Sequence, residues 1–268
     1  MDEVTYFENI ASFKMLAKKE VGQNFLVDVK AARTIVEALE VNSEDNVLEI
    51  GCGAGSLTYF LEKTKGKVTA IDIDEAMLTK TGNDFKDSNH LTVVYGNAAK
   101  YDYRPFTKII GNLPYYITTL ILEKVLLEGS NAKTMVFMVQ KEAGERIGSK
   151  VGDKDYSPLS ILLGLCYTYK RILTVGRASF VPAPHVESAV YTIKRKEGIT
   201  LEEGADVYLL AKSMFLQRRK TLRNNLKGYL HDEEKTDNIL SIMGLKPTIR
   251  PEEVTPEQYL KLTRLIKS

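Results

Sequence analysis

The chain has little of what marks membrane, secreted or metal-binding proteins. None of its apolar runs approaches the roughly 20 residues that a bilayer-spanning helix needs, and the longest, at 161–166, reads as core. The N-terminus carries no short apolar block with a small-residue cleavage site, so no secretory signal is expected. Cysteine occurs only at Cys52 and Cys166, far apart and without metal-ligand spacing. The expectation is two buried free thiols in a reducing cytoplasm, with no metal site. There is no internal repeat and no low-complexity tract. Net charge is only +2, so total charge announces no polyanionic partner.

What is present is ordinary in bulk and informative in order. With 44% hydrophobic and 27% charged residues over 268 positions, the chain can bury an α/β core and a smaller second domain. Its positive charge is segregated. Residues 207–231 hold Lys212, Arg218, Arg219, Lys220, Arg223 and Lys227 and no acidic residue, with Lys194-Arg195-Lys196 upstream and Lys14, Lys18 and Lys19 near the start. Such a run suits a polyanion or a solvated helix face, and charge alone leaves both open.

From residue 46 onward, short apolar runs alternate with helical stretches. Residues 46–50, 67–72, 91–95, 107–111 and 133–140 read as buried strands, and 56–63, 74–84 and 117–128 as helices. That alternation predicts right-handed crossovers and a doubly wound, mostly parallel α/β sheet. Helices are expected at 141–147 and 158–166, then strands at 170–175 and 187–194 flanking the two-proline segment 180–185. Residues 197–204 read as a linker. Beyond it strand signals stop, a long helix is expected over 206–226, and Gly228 and Gly244 would separate shorter ones. The expected division is a catalytic domain over 1–198 and a small all-α domain over 199–268.

The first strand runs into Gly51-Cys52-Gly53-Ala54-Gly55-Ser56, and Asp72 closes the second strand 21 residues after Gly51. Glycines there allow a tight turn and close ligand approach, and a strand-end carboxylate can accept both ribose hydroxyls of an adenosine. This spacing also suits a dinucleotide, although Ser56 stands where the third dinucleotide glycine belongs. Asn97 ends the third strand, where an amide could hold an adenine amine or ring nitrogen. Residues 22–28 could form a lid over the ligand.

The fourth strand ends in Asn112-Leu113-Pro114-Tyr115, at the carboxyl edge where such sheets bind ligands. These residue types suit methylation of an amine conjugated to an aromatic ring. The Asn112 side-chain oxygen and the Leu113 carbonyl could accept both amine hydrogens, Pro114 would fix the turn, and Tyr115 offers a stacking face. No titrating base is required.

Here the sequence resembles the small-subunit ribosomal RNA adenine dimethyltransferases (KsgA type). The resemblance spans nearly the whole chain. It rests on Gly22-Gln23-Asn24-Phe25-Leu26, Glu49-Ile50-Gly51, Asn112-Leu113-Pro114-Tyr115, Gln140-Lys141-Glu142, residues 180–189 and Gln217-Arg218-Arg219-Lys220-Thr221-Leu222. It implies a seven-stranded, Rossmann-like class I methyltransferase fold and S-adenosylmethionine as cofactor. The implied reaction is dimethylation of two adjacent adenosines in a hairpin loop near the 3′ end of small-subunit rRNA. By matched position, cofactor contacts fall on Asn24, Leu26, Gly51, Asp72, Asn97 and Asn112. The flipped adenine would lie between Tyr115 and Phe180, and Arg218, Arg219, Lys220 and Arg223 would meet RNA. The implied partner is the immature small subunit, approached by a soluble monomer. Asn97 replaces a usual Asp, Leu120 a frequent Pro, Ala143-Gly144 a bulkier pair and Cys52 a usual Pro or Leu. Rival expectations are a catalytically weak assembly factor, a large-subunit adenine methyltransferase of the macrolide-resistance type and, last, a dinucleotide oxidoreductase.

Overall fold

Each buried strand is a short β-branched or aliphatic run, apolar on both faces, as a sheet covered on both sides requires. A computed structural model describes residues 2–13, 23–129 and 131–268. The chain divides into two compact units, one of Met1–Gly144 with Lys170–Arg195, the other of Glu145–Tyr169 with Lys196–Ser268.

The first unit opens with helix α1 (Glu3–Ser12), strand β1 (Phe25–Leu26) and helix α2 (Val29–Glu37). Then come β2 (Asn46–Ile50), the short α3 (Thr58–Leu61), β3 (Lys67–Asp72), α4 (Glu75–Asp84), β4 (Leu91–Tyr95), β5 (Lys108–Asn112), α5 (Thr118–Glu128), β6 (Thr134–Gln140) and α6 (Lys141–Ile147). Past α7 (Pro158–Cys166) follow β7 (Tyr167–Val175), β8 (Phe180–Val181) and β9 (Ser188–Arg195). The seven-stranded sheet has the order β4-β3-β2-β5-β6-β9-β7. Strands β2 to β6 pair in parallel, and β9 runs antiparallel to β6. The mostly parallel α/β sheet is the one the alternation predicted. Val47, Val68, Ile110 and Val136 form one core with Ile35 and Leu39 beside α2. Helix starts follow local chemistry: Asp74 accepts from the Ala76 amide at 3.0 Å and Asp28 from the Ala31 amide at 3.0 Å.

The second unit gathers α7, α8 (Leu201–Phe215), α9 (Leu222–Leu230), α10 (Glu233–Met243) and α11 (Pro256–Lys267). Here the structure differs from the sequence expectation. Helix α7 belongs with the C-terminal helices and not with the sheet. Gly204 of α8 permits this, because a Cβ there would stand 2.7 Å from the Cys166 sulfur. The stretch 197–204 is only half a linker: Thr200 and Glu203 close a capping box, and α8 starts at Leu201. The long helix over 206–226 is two helices, broken where residues 216–220 turn and Thr221 caps α9 by accepting from the Asn224 amide at 3.3 Å. Gly228 lies inside α9, which ends instead at His231 with φ +55°; Gly244 ends α10 as expected. Among the described residues no helix is long and apolar enough to cross a membrane.

Candidate active site

The C-terminal ends of β2, β3, β4 and β5 converge on one cavity of about 330 Å³. Its floor is the glycine loop. Gly51, Gly53 and Gly55 all adopt positive φ, +72°, +50° and +91°, which side-chain-bearing residues rarely tolerate. The loop is pinned to β3 because the Gly51 and Cys52 amides donate to the Ile71 carbonyl at 2.8 and 3.1 Å. Gly111 brings β5 against β2: a Cβ there would meet the Ile50 carbonyl oxygen at 2.6 Å.

Asp72 sits across from the loop. One carboxylate oxygen accepts from the Gly53 amide at 2.8 Å, the other from the Asp74 amide at 2.9 Å. Burial pushes its carboxyl above the ordinary value, and these amides oppose the shift. Asp72 is thereby fastened to the loop it faces. Asn97 also lines the cavity, and its oxygen accepts from the Ala99 amide at 2.9 Å. That bond turns its amino group outward as a donor, which suits a ring nitrogen better than an amine.

Asn24, Leu26 and Gly51 line the same cavity, together with Asn112, Leu113, Pro114 and Tyr115. Residues 24–28 are no loose lid: β1 pairs antiparallel with β8, and the Leu26 carbonyl accepts from the Ser56 hydroxyl at 2.7 Å. Gly22, the first residue of that segment, lies outside the described residues, as do Lys14, Lys18 and Lys19. Asn112 is the last residue of β5, and its amide nitrogen donates to the Asn24 carbonyl at 3.4 Å. Its oxygen is therefore the end left to accept. Leu113 is 1% exposed and its amide donates to the Met138 carbonyl at 3.0 Å, which anchors the turn. The Tyr115 hydroxyl bonds the Ser188 hydroxyl at 2.8 Å, which fixes the ring plane.

Phe180 departs from the expectation of a second stacking face. It is 2% exposed, stands opposite Leu26 in the β1–β8 ladder, belongs to the hydrophobic core and does not line the cavity. In this arrangement it packs behind the site, and the exposed aromatic beside Tyr115 is Tyr116. The basic run also separates. The Arg218 guanidinium donates to the Lys154 and Asp153 carbonyls at 2.6 and 3.3 Å. Arg223 pairs with Asp237 at 2.6 and 2.7 Å and with Glu233 at 3.0 Å. Backbone carbonyls satisfy Arg218 and carboxylates satisfy Arg223, all from elsewhere in the second unit, whereas Arg219 and Lys220 are exposed in the turn.

Glu49, quoted in the sequence only as part of a motif and given no role there, lines the cavity at 1% exposure. Burial pushes its carboxyl up to about 8, against a 2.7 Å hydrogen bond from the Thr58 hydroxyl. It is a neutral acid at pH 7. Its signal was an acid inside an otherwise apolar strand. Gln23 of the expected lid segment also lines the cavity and donates to Asp74 at 2.9 Å, a contact its sequence context does not announce.

Comparison with known proteins agrees with this geometry. The family "Ribosomal RNA adenine dimethylase" matches residues 14–268. The "Ribosomal RNA small subunit methyltransferase A" of Clostridium acetobutylicum is 34% identical over 272 residues, covering 98% of each chain. That of Bacillus thuringiensis is 35% identical over 265 residues, covering 93% of this chain and 91% of the relative. A dimethyladenosine transferase from Plasmodium falciparum superposes with a TM-score of 0.72 at 28% identity, over 87% of this chain and 94% of its own. Both the sheet that builds the cavity and the helices that follow it are thus shared, and this chain belongs to the ribosomal RNA adenine dimethylase family.

Proposed function

We propose that this cavity binds S-adenosylmethionine and that the Asn112–Tyr115 turn presents the exocyclic amine of an extruded rRNA adenine to it. The chain is a methyltransferase of the adenine dimethylase family. The substrate we assign is a pair of adjacent adenosines in a hairpin loop near the 3′ end of small-subunit rRNA: the relatives' names carry the small ribosomal subunit and the family's name the adenine, and the pair and the loop follow from the resemblance of the sequence motifs. The observation that carries this reading is the convergence of Asp72, the glycine loop and Asn112 on one cavity.

The residues fit the cofactor. The glycine loop leaves room for a ligand against bare backbone, Asp72 suits the ribose hydroxyls, and Asn97 suits the adenine edge. When bound, S-adenosylmethionine supplies a methyl group on a sulfonium, which even a weak nucleophile can accept. The chain's own work is on the amine. The Asn112 oxygen, oriented by the Asn24 carbonyl, accepts one amine hydrogen and the Leu113 carbonyl the other, so the nitrogen lone pair is drawn out of conjugation. Tyr115, held by Ser188, gives the base a face. We assign the phosphate contacts of the basic run to Arg219 and Lys220, which are exposed in the turn.

Unmodified small and large ribosomal subunits, incubated together with the protein and methyl-labelled cofactor, should become labelled at two neighbouring adenosines of the small-subunit rRNA, located by nucleotide mapping. Label confined to large-subunit rRNA, or absent from adenine, would overturn the assignment.

A further inference from the structure

Against the glycine loop, between it and helices α1 and α4, lies a polar cluster that the reaction does not use. The Lys80 ammonium of α4 donates to the Ala54 carbonyl at 2.5 Å and pairs with Asp84 at 2.7 Å. Its side chain is only 11% exposed, and burial lowers its pKa. The Tyr6 hydroxyl of α1 reaches the same carbonyl at 3.5 Å, and Lys80 donates to that hydroxyl at 3.3 Å. The Tyr6 ring is stacked on Tyr59 with centroids 4.5 Å apart, and the ammonium lies 4.5 Å from the Tyr6 ring centroid. The next carbonyl back, that of Gly53, accepts from the Thr81 hydroxyl at 2.8 Å.

A charged side chain is buried at a cost unless it is held by partners that need it. Here two partners are Asp84 and one backbone oxygen of the glycine loop. Gly55 shows how closely the parts fit: a Cβ on it would stand 2.4 Å from the Tyr6 hydroxyl oxygen. So α1 fills the space this glycine leaves. Helix α1 also precedes the stretch matched by the family, which begins at residue 14.

We infer that Lys80 and Tyr6 form a clamp against the glycine loop that presets its backbone and thereby sets cofactor affinity. They are positioning residues and touch no reacting atom. The physical case is entropic. A loop with three glycines at positive φ loses more conformational freedom on ordering than any other backbone. If it is ordered before the ligand arrives, that loss is not subtracted from binding. If the clamp is removed, the competent loop becomes a fraction of the population, and the apparent dissociation constant rises by the inverse of that fraction. This inference rests on the cavity being the cofactor site.

The test uses the full chain and S-adenosylhomocysteine as the calorimetric probe, with methylation of small subunits as the second readout. Lys80→Met should raise the dissociation constant about tenfold, since a charge-assisted hydrogen bond is lost. It should raise KM for the cofactor alike and leave kcat at saturating cofactor within about twofold. Lys80→Arg should restore most of the affinity. Tyr6→Phe, which keeps the stacked ring, should raise the constant about two- to threefold by the same population argument. A merely structural role would lower Tm and kcat together without the selective rise in KM. Affinities of Lys80→Met and Tyr6→Phe equal to wild type would overturn the clamp, and if Lys80→Met does not fold, an unchanged constant in Tyr6→Phe overturns it alone. Wild-type protein that does not bind the probe would overturn the cavity assignment, and the clamp with it.

Discussion

Asn112 has its amide nitrogen taken by the Asn24 carbonyl, so one side chain ties the end of β5 to the residue before β1 and, in the proposed reaction, would offer its oxygen to the amine. In that proposal the second task would matter more to the rate, because the contact would strengthen as charge grows on the adenine nitrogen. Asn112→Ala should cut single-turnover methylation by about 100- to 1000-fold at saturating RNA and cofactor. The fold should lose only the roughly 1 kcal/mol of one neutral hydrogen bond. Turnover near wild type would remove Asn112 from the chemistry. Glu49 invites a different measurement. Unfolded, it ionises near its ordinary 4.5; folded, near 8. Between these values unfolding releases a proton, so wild-type stability falls as pH rises through the window. Glu49→Gln imitates the neutral acid and lacks this dependence. Denaturant melts from pH 5 to 8 should show the variant gaining on wild type, by at most about 1.4 kcal/mol per pH unit. Parallel stability profiles would mean that Glu49 ionises normally in the folded chain.

Secondary-structure elements divide into those whose signals agree and those whose signals compete. Strand β2 and helix α4 were legible in the sequence because an apolar run meets glycines in one case and an aspartate cap in the other. The β5 strand was placed one residue early, yet the site at its end was legible because Asn-Leu-Pro-Tyr combines a fixed turn with a stacking face. Phe180 was not, because a two-residue ladder with β1 has no period to detect. The break between α8 and α9 was also hidden. Helical periodicity runs through residues 216–221, and the turn is held open by tertiary bonds, among them those of Arg218 to the Asp153 and Lys154 carbonyls and that of the Leu222 amide to the Ile249 carbonyl. That turn yields the third prediction. Arg219→Ala with Lys220→Ala should weaken rRNA binding on all sequences and reduce the slope of log affinity against log salt by up to about 1.5–2. An unchanged slope would make these side chains a solvated surface.

At the scale of the whole molecule, the chain enters the second unit at Glu145, leaves it after Tyr169 and returns at Lys196. A fragment of residues 199–268 therefore lacks α7. Its α8 would expose the face where Ala211, Val207 and Gly204 are now buried. Such a fragment should give little helical circular dichroism and a broad, non-cooperative melt. A sharp melt would show that α7 is dispensable. The same connectivity has a consequence during synthesis. Helix α7 buries Leu159, Ile161, Leu162, Leu163 and Leu165 in the finished protein, but α8 is made after it, once the three strands β7, β8 and β9 have been added. A nascent chain halted between residues 169 and 200 thus carries an oily helix with nothing yet to cover it. Ribosome-bound intermediates of that length should be the ones that chaperones hold, and premature termination there should give inclusion bodies instead of a soluble catalytic half.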